Sequence, residues 1–233
     1  MLKILDKESL LGKKQENQDA CLVKSFSNGD MLLAVADGMG GGVMGAELSL
    51  KTIALLDEFF EQEVEYPLTK LRQSLFMISD EMFVMLDGQK GGTTLCMAYY
   101  QNGKIFYINI GDSRVWLCRQ REIINLTLDQ NRYEYNLLNN LEPKEDDRRI
   151  IHNILGLSSG FEIETTLDSK EWSAIGSYEL EQDDLLLLSS DGFHDFIEPQ
   201  MFCEDIDENF ESILSQVKEK SHDNITVVIA KEV

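Results

Sequence analysis

The segment MLLAVADGMGGG, residues 31–42, joins an apolar strand to a glycine-rich turn and places one acidic residue at the junction. The run from Met31 to Ala36 predicts a buried β-strand, and Asp37 ends it directly before Gly38. A carboxylate at the end of a buried strand is costly unless it is paired or bound to a metal. A glycine beside it lets the backbone turn sharply and brings a carbonyl close to a ligand.

Three further aspartates lie at the ends of predicted strands in a similar way: Asp112, Asp191 and Asp223. The first two follow apolar strands and adjoin a glycine, whereas the third opens the final strand. A single Asp-Gly pair is most often a plain turn. Several such acids in series, in a chain with three histidines, instead favour a hard divalent cation, Mg²⁺ or Mn²⁺, held by oxygen ligands.

The histidines and cysteines are interpreted as structural. His194 and His222 adjoin the acidic positions, but neither has a second histidine at ligand spacing. The cysteines form no CxxC pair and have apolar neighbours, which predicts reduced thiols and leaves little to build a zinc site. The four cysteines are Cys21, Cys96, Cys118 and Cys203.

Outward from this segment, the pattern predicts α+β layers in a single domain, residues 1–233, because no linker or repeat divides the chain. Helices are predicted after the glycine turn, over 67–86 and over 207–219. The polar stretch 128–160 is predicted to form a short helix and a surface flap. Predicted strands cover 19–27, 31–36, 93–100, 104–110, 113–119, 122–126, 161–167, 185–189 and 225–230, with the four between 93 and 126 forming an antiparallel meander.

Composition excludes several classes of partner. The 42 acidic residues against 21 basic ones give a formal net charge of −21, which disfavours nucleic acid and anionic membranes. No apolar run approaches the roughly 18 residues of a membrane-spanning helix, and the N-terminus lacks the apolar core of a signal peptide. A cytoplasmic protein is therefore expected.

Seven short motifs in order give the chain a family resemblance. Any one of them is weak, but together they run from about residue 12 to the C-terminus and resemble the PPM family of metal-dependent protein phosphatases, the protein phosphatase 2C type. The motifs are Asn17-Gln18-Asp19-Ala20, Asp37-Gly38-Met39-Gly40-Gly41, Gly91-Gly92-Thr93-Thr94, Gly111-Asp112-Ser113-Arg114, Leu126-Thr127-Leu128-Asp129, Ser190-Asp191-Gly192 and Asp223-Asn224, and Ile154-Leu155-Gly156 resembles the segment after the family's flap.

This resemblance implies a four-layer α-β-β-α sandwich, in which two antiparallel sheets are flanked by helix pairs. Asp37 resembles the residue that bridges two metal ions, and Gly38 the residue whose carbonyl binds the second ion. Asp19 resembles the acid that orients metal-bound water. Asp191 and Asp223 resemble the other direct ligands of the first ion, and Asp112 and Asp195 match positions that, with Asp191, hold a more weakly bound third ion.

The family's activity is hydrolysis of phosphorylated Ser and Thr in proteins. Two divalent ions roughly 3.5–4 Å apart lower the pKa of a bridging water, and the resulting hydroxide attacks phosphorus in line. Direct attack by water requires no cysteine or serine nucleophile and predicts no phosphoenzyme intermediate.

Two positions depart from the family pattern. Lys14 lies five residues before Asp19, where the family carries a phosphate-binding arginine; lysine supplies charge without the bidentate fork. Neighbouring Lys13 is a second candidate for this task, and a surface-charge role for both is the alternative. Met39 stands where many eukaryotic members have a histidine general acid, and methionine there is typical of bacterial-type members.

The sequence therefore predicts a monomeric phosphoprotein phosphatase of bacterial type that opposes a protein kinase. Asp37, Asp19 and Lys14 are the predicted catalytic residues, and Lys14 contacts the substrate phosphate. A pseudophosphatase that binds partners without turnover is the alternative, supported only by Lys14. A structural Ca²⁺-binding protein ranks lower because no loop has the spacing of an EF-hand.

Overall fold

The computed structural model of the chain describes residues 1–41, 44–156, 174–197 and 199–233. Within these residues ten strands form two five-stranded antiparallel sheets. Sheet A has the order β1-β10-β9-β6-β7, and sheet B has the order β2-β3-β4-β5-β8. The strands are β1 (Leu2–Leu10), β2 (Asp19–Ser25), β3 (Met31–Asp37), β4 (Leu95–Gln101), β5 (Lys104–Ile110), β6 (Arg114–Arg119), β7 (Glu122–Asn125), β8 (Ile175–Glu179), β9 (Leu185–Ser189) and β10 (Ile225–Glu232).

Helices lie outside the two sheets. They are α1 (Gly45–Phe59), α2 (Pro67–Leu86), α3 (Arg132–Leu138), a 3-10 helix (Glu145–Arg149), α4 (Asp191–His194) and α5 (Pro199–Lys220). The last is two helical segments joined at Asn209, whose backbone leaves the helical region. In the part of the chain that the structure describes, no helix combines the length and the apolar composition needed to cross a membrane.

Three apolar clusters separate four layers. One lies between sheet B and the pair α1 and α2, with Leu48, Leu75 and Tyr99 among its fully buried members. The second lies between the sheets, and the third packs sheet A against α5 through Leu187 and Val217. Burial of apolar surface is the main contribution to stability in such layers. The predicted α-β-β-α sandwich is confirmed.

Several elements begin and end where the sequence predicts them. Pro67 opens α2 at its first turn, the position that proline favours because its missing N–H is not needed there. The turn at Asn28-Gly29 joins β2 to β3, and Gly29 has φ 91°, a left-handed conformation natural to glycine. The short helix and surface segment expected over 128–160 correspond to α3 and the 3-10 helix among the residues described there.

The meander predicted between 93 and 126 is wrong. The strand β5 pairs with β4 and β8 in sheet B, whereas β6 pairs with β7 and β9 in sheet A. The turn after β5 carries the chain from one sheet to the other. Gly111 makes this possible, since its φ is 101° and a Cβ there would lie 2.6 Å from the side chain of Thr94.

Two strands were not predicted, and one helix is longer than expected. A bulge between Ile4 and Asp6 breaks the alternation of β1, and β8 carries a glycine and a serine in five residues. The helix expected over 207–219 begins at Pro199. The strand expected over 161–167 lies outside the described residues.

The expectation of four reduced thiols is also wrong. Cys118 of β6 and Cys203 of α5 form a disulfide, with their Cα atoms 5.5 Å apart. The apolar neighbours that suggested isolated buried thiols instead place both residues in the cluster between sheet A and α5, where the two side chains meet. Cys21 and Cys96 are free.

Candidate metal centre

The predicted site residues lie where corresponding ends of the two sheets meet. In sheet B, Asp19 at the start of β2 pairs with Asp37 at the end of β3. In sheet A, Asp191 follows β9 and Asp223 precedes β10, and these two strands are neighbours. Ser190 Oγ donates a hydrogen bond of 2.8 Å to Asp19 Oδ2, so the two halves of the site are in direct contact.

The turn at Asp37 and Gly38 is held by its neighbours. The Asp37 carbonyl accepts hydrogen bonds from Thr94 N at 2.8 Å and from Thr93 Oγ1 at 2.9 Å. The Gly38 amide donates to the Gln18 carbonyl at 2.9 Å, and a Cβ on Gly38 would lie 2.2 Å from a backbone oxygen of α1. Glycine is therefore required for this turn, which fixes where the Asp37 side chain starts.

Asn224, which has no predicted role of its own, organises the loop that carries Lys14. Its amide donates to the carbonyls of Leu11 and Glu16 at 2.8 and 2.9 Å, and its oxygen accepts from Gln18 N at 2.9 Å. Of the two residues before β10, Asp223 therefore lines the cleft, whereas Asn224 holds the loop of Lys14 through these hydrogen bonds. Position 12 could not carry a side chain, because a Cβ there would lie 2.0 Å from the Asp223 carbonyl oxygen.

Burial, and repulsion between the carboxylates, raise the pKa values of the aspartates at the cleft. Burial raises the pKa of Asp37 and of Asp112 well above the usual range, and repulsion from the other aspartates adds to it. Burial, followed by repulsion from Asp223, raises the pKa of Asp191 to about 7. Burial also raises the pKa of Asp19, to about 6, although its hydrogen bond from Ser190 opposes the change. The protein around the cleft therefore disfavours the ionised form of these carboxyls, which a bound cation would stabilise.

Two of the cations near the carboxylates, Arg114 and Lys14, are already paired. Arg114 donates two hydrogen bonds of 2.7 Å to the buried Asp129, and its Nη2 lies 3.9 Å from Asp195 Oδ1. Burial raises the pKa of Asp195, and Arg114 opposes this change. Lys14 Nζ lies 2.8 Å from Asp223 Oδ1. Among the described residues, no ion pair reaches Asp37, Asp112 or Asp191.

A divalent cation fits this donor set. Asp191 Oδ1 is buried and has no hydrogen-bond partner among the described residues, and hard cations bind carboxylate oxygens of this kind. In the described part of the chain, however, no three Asp, Glu, His or Cys side chains form a ready-made ligand cluster. The chemistry and number of the donors suit a cation, while the carboxylates line the cleft without converging on one point.

These residues share one cleft of about 740 Å³. Every predicted site residue except Asp19 is part of its lining, and Asp19 lies immediately behind it, 5% exposed. Lys13 is not in the lining, and its Nζ contacts the Glu219 carbonyl instead. Residues that line the cleft without having been predicted there include His194, His222, Arg148, Arg149, Asn131 and Asp129.

The unpredicted lining residues had weak signals in the sequence. Arg148 and Arg149 come from the 3-10 helix of the surface flap, and Arg148 stacks over the Tyr133 ring at 3.6 Å. His194 is 5% exposed, and burial lowers its pKa well below the usual value, so its ring is neutral at neutral pH. The adjacency of His194 to Asp195 was visible in the sequence, whereas the approach of the flap to the cleft was not.

Comparison with known proteins gives a consistent result. A family model described as Protein phosphatase 2C matches residues 8–226. The protein phosphatase PhpP of Streptococcus pneumoniae serotype 2 is 30% identical over 203 residues, which cover 79% of this chain and 76% of that protein.

Solved structures share the fold. The serine/threonine phosphatase Stp1 of Staphylococcus aureus superposes with a TM-score of 0.85 at 22% identity, covering 100% of this chain and 96% of that one. The catalytic domain of the serine/threonine protein phosphatase PstP, solved in complex with two manganese ions, gives a TM-score of 0.79 at 23% identity, covering 99% of this chain and 97% of that one. At these identities the likeness shows the fold alone.

Proposed function

This chain belongs to the protein phosphatase 2C family, and from that premise we propose that it is a metal-dependent phosphatase of phosphorylated Ser and Thr residues in proteins. The observation that carries the proposal is the cleft where the two sheets meet, lined by aspartates whose pKa values are raised by burial and by one another's charges. Such a cleft repels a phosphate group unless cations offset the carboxylates.

In this proposal Asp37, the Gly38 carbonyl, Asp191 and Asp223 hold two Mn²⁺ or Mg²⁺ ions, and Asp112 and Asp195 join Asp191 in holding a third. When bound, such ions supply Lewis acidity and a water activated as the nucleophile. The donor types and the unpartnered Asp191 Oδ1 support these assignments. The manganese ions in the PstP structure, a protein of the same fold, support the choice of metal.

The remaining chemistry falls to side chains around the cleft. Asp19, buried and held by Ser190, orients the attacking water. Lys14 positions the phosphate group, and its pKa is raised, chiefly by the hydrogen bond to Asp223, so it stays charged. Arg148 and Arg149 add positive charge on the flap side of the cleft. There, their guanidinium groups bind the anionic groups of a phosphopeptide.

The proposal extends to the state of the protein. We expect a single domain over residues 1–233, a cytoplasmic monomer and a phosphoprotein substrate modified by an opposing protein kinase. No observation in the described residues favours the pseudophosphatase alternative, because every acid predicted for the site lines the cleft or, in the case of Asp19, accepts a hydrogen bond from Ser190 beside it.

Hydrolysis of a phosphothreonine peptide, measured with and without Mn²⁺, tests this function. Wild-type protein should release phosphate only with the metal, and Asp37→Asn and Asp191→Asn should each lower kcat by at least about 100-fold. Asp57→Asn is the matched control, since Asp57 is an exposed acid on α1 that pairs with Lys24. Unchanged turnover in either cleft variant, or equal turnover with and without Mn²⁺, would contradict the proposal.

A further inference from the structure

A chain of three side chains links the core of sheet A to the cleft. Trp116 Nε1 lies 3.1 Å from Ser189 Oγ, and Ser189 Oγ lies 3.0 Å from His194 Nδ1. All three residues are buried, with exposures of 3%, 0% and 5%. None of them had a functional role in the sequence analysis, and the proposed hydrolysis does not use them.

The direction of these hydrogen bonds follows from their donors. An indole N–H can only donate, so Ser189 Oγ accepts from Trp116. The Ser189 oxygen has a second lone pair, but its single hydroxyl proton also needs an acceptor, and His194 Nδ1 is the one among its contacts in the described residues. Because Nδ1 accepts, the ring is neutral and carries its proton on Nε2.

The other tautomer is disfavoured on two counts. A proton on Nδ1 would leave the Ser189 hydroxyl without an acceptor among its contacts in the described residues. It would also turn the Nε2 lone pair toward the carboxylate of Asp195, whose Oδ1 lies 3.8 Å away. Both features favour the Nε2–H form, which the hydrogen-bond network assigns.

The Nε2 proton has no partner of its own among the described residues. Nε2 is buried without a hydrogen-bond partner, and His194 belongs to the lining of the cleft. At 3.8 Å the contact with Asp195 is too long for a direct hydrogen bond but suits a small movement or one bridging water. Asp195 thus lies between Arg114 and His194, at 3.9 and 3.8 Å respectively.

We propose that His194 is a positioning residue for Asp195, held as the Nε2–H tautomer by Trp116 and Ser189 so that its proton orients the Asp195 carboxylate toward a cation shared with Asp112 and Asp191. Partners that orient ligands in this way commonly change metal affinity by about 10- to 100-fold when they are removed. The inference rests on the proposed function only for the presence of a divalent ion, and its first test needs no activity.

The tautomer is measured directly by long-range ¹H–¹⁵N NMR of the imidazole rings in the metal-free protein at pH 7.5. The chain has three histidines, so His194→Gln identifies the signal. The expected pattern has a protonated Nε2 and an unprotonated Nδ1. Ser189→Ala should shift the pattern toward a mixture of tautomers. A protonated Nδ1 in the wild-type protein, or an imidazolium ring, would overturn the proposal.

The effect on Asp195 is measured by calorimetric titration with Mn²⁺. His194→Phe keeps a ring but removes the donor, and should weaken the weakest binding step about 10-fold. His194→Gln can place an amide N–H near the position of Nε2 and should restore most of the affinity. Equal Mn²⁺ affinity in wild type and His194→Phe, or equal losses in both variants, would overturn the proposal.

Folding of the variants is checked by their metal-free thermal transitions. If His194→Phe does not fold, Ser189→Ala takes its place, and it should weaken the same step while leaving the others unchanged; unchanged affinity overturns the proposal. Failure of the proposed phosphatase function would look different: Mn²⁺ would bind with the expected variant pattern, but no phosphopeptide would be hydrolysed.

Discussion

Lys14 Nζ lies 2.8 Å from Asp223 Oδ1, so the residue proposed to bind substrate phosphate is paired with a residue proposed to bind metal. The two side chains are 38% and 43% exposed. An ion pair as open to solvent as this one contributes little to stability, typically about 0–1 kcal/mol. Substrate phosphate and a cation can therefore replace the two partners at little cost.

Substitution of Lys14 should change substrate binding more than folding. Lys14→Met removes the charge and should raise KM for a phosphopeptide by about 10- to 100-fold, because charge-assisted hydrogen bonds contribute roughly 1.5–3 kcal/mol. Lys14→Arg should lower KM, since a guanidinium binds phosphate through two parallel hydrogen bonds. Steady-state kinetics at saturating Mn²⁺ measures both effects.

Lys13→Met is the control for this pair of variants, because Lys13 contacts the Glu219 carbonyl and is outside the lining of the cleft. Its KM should equal that of the wild type. If KM rose more in Lys13→Met than in Lys14→Met, the phosphate contact would belong to Lys13 and the assignment to Lys14 would be wrong.

Divalent metal should raise the melting temperature. A ligand that binds only the folded state stabilises it, by about 2.7 kcal/mol at a concentration 100 times its Kd. Mn²⁺ should therefore shift the thermal transition of the wild-type protein upward by several degrees, and the shift should be much smaller in Asp191→Asn. Scanning calorimetry with and without Mn²⁺ makes the measurement, and an identical shift in both proteins would count against the site.

Acidification should stabilise the metal-free protein through Asp191. Its pKa is about 7 in the folded chain, above the ordinary value, so the folded state binds more protons than the unfolded state between about pH 4 and 7. The free energy of unfolding consequently falls as pH rises through this window. Moving from pH 7.5 to 5.5 in a chelating buffer should favour the folded wild type by about 1–2 kcal/mol through this group.

Asp191→Asn isolates that contribution, because its amide does not titrate. His194 acts in the opposite direction: its pKa is lowered, so it destabilises the folded state below its unfolded pKa, but it does so in both proteins. Denaturant titrations at the two pH values should show a smaller gain for Asp191→Asn. A gain as large as that of the wild type would show that other groups cause the dependence.

Reduction of the disulfide should lower stability without altering the cleft. Cys118 and Cys203 are 85 residues apart and join β6 to α5, and native disulfides typically contribute about 2–4 kcal/mol. A reductant should lower the melting temperature of the wild type, whereas Cys118→Ala/Cys203→Ala should melt at one lower temperature with or without reductant. Turnover at 25 °C should be similar in all four cases, and a wild-type transition that ignores the reductant would contradict the prediction.

The sequence predicted local features better than pairings between distant strands. Asp37, Asp112 and Asp191 each follow an apolar run and adjoin a glycine. This local pattern was enough to predict that each lies at the end of a strand. The strand β6, in contrast, pairs with β9, which lies about 70 residues later in the sequence. No local pattern specifies such a pairing, which is why the meander was wrongly predicted.

The cleft likewise combines residues that local motifs predicted with contacts that depend on tertiary packing. Lys14 and the acids could be assigned from motifs, whereas the hydrogen bonds of Asn224 and the approach of Arg148 result from how loops cross the ends of the sheets. Cys118 and Cys203 were likewise far apart in sequence, and only the packing of α5 on sheet A brings them together. Motifs thus predicted residues that share one cleft, whereas tertiary packing determined what surrounds them.

The strand order has a consequence for the formation of the cleft. Among the strands that the structure describes, β1 is an edge strand of sheet A that pairs with β10, although the two strands are far apart in sequence. Strand β1 can therefore pair in sheet A only once β10 lies beside it. Asp223 and Asn224 directly precede β10, so the acidic cleft and the loop of Lys14 form together with this pair of strands. Affinity for Mn²⁺ should therefore appear only in molecules in which β1 and β10 have paired.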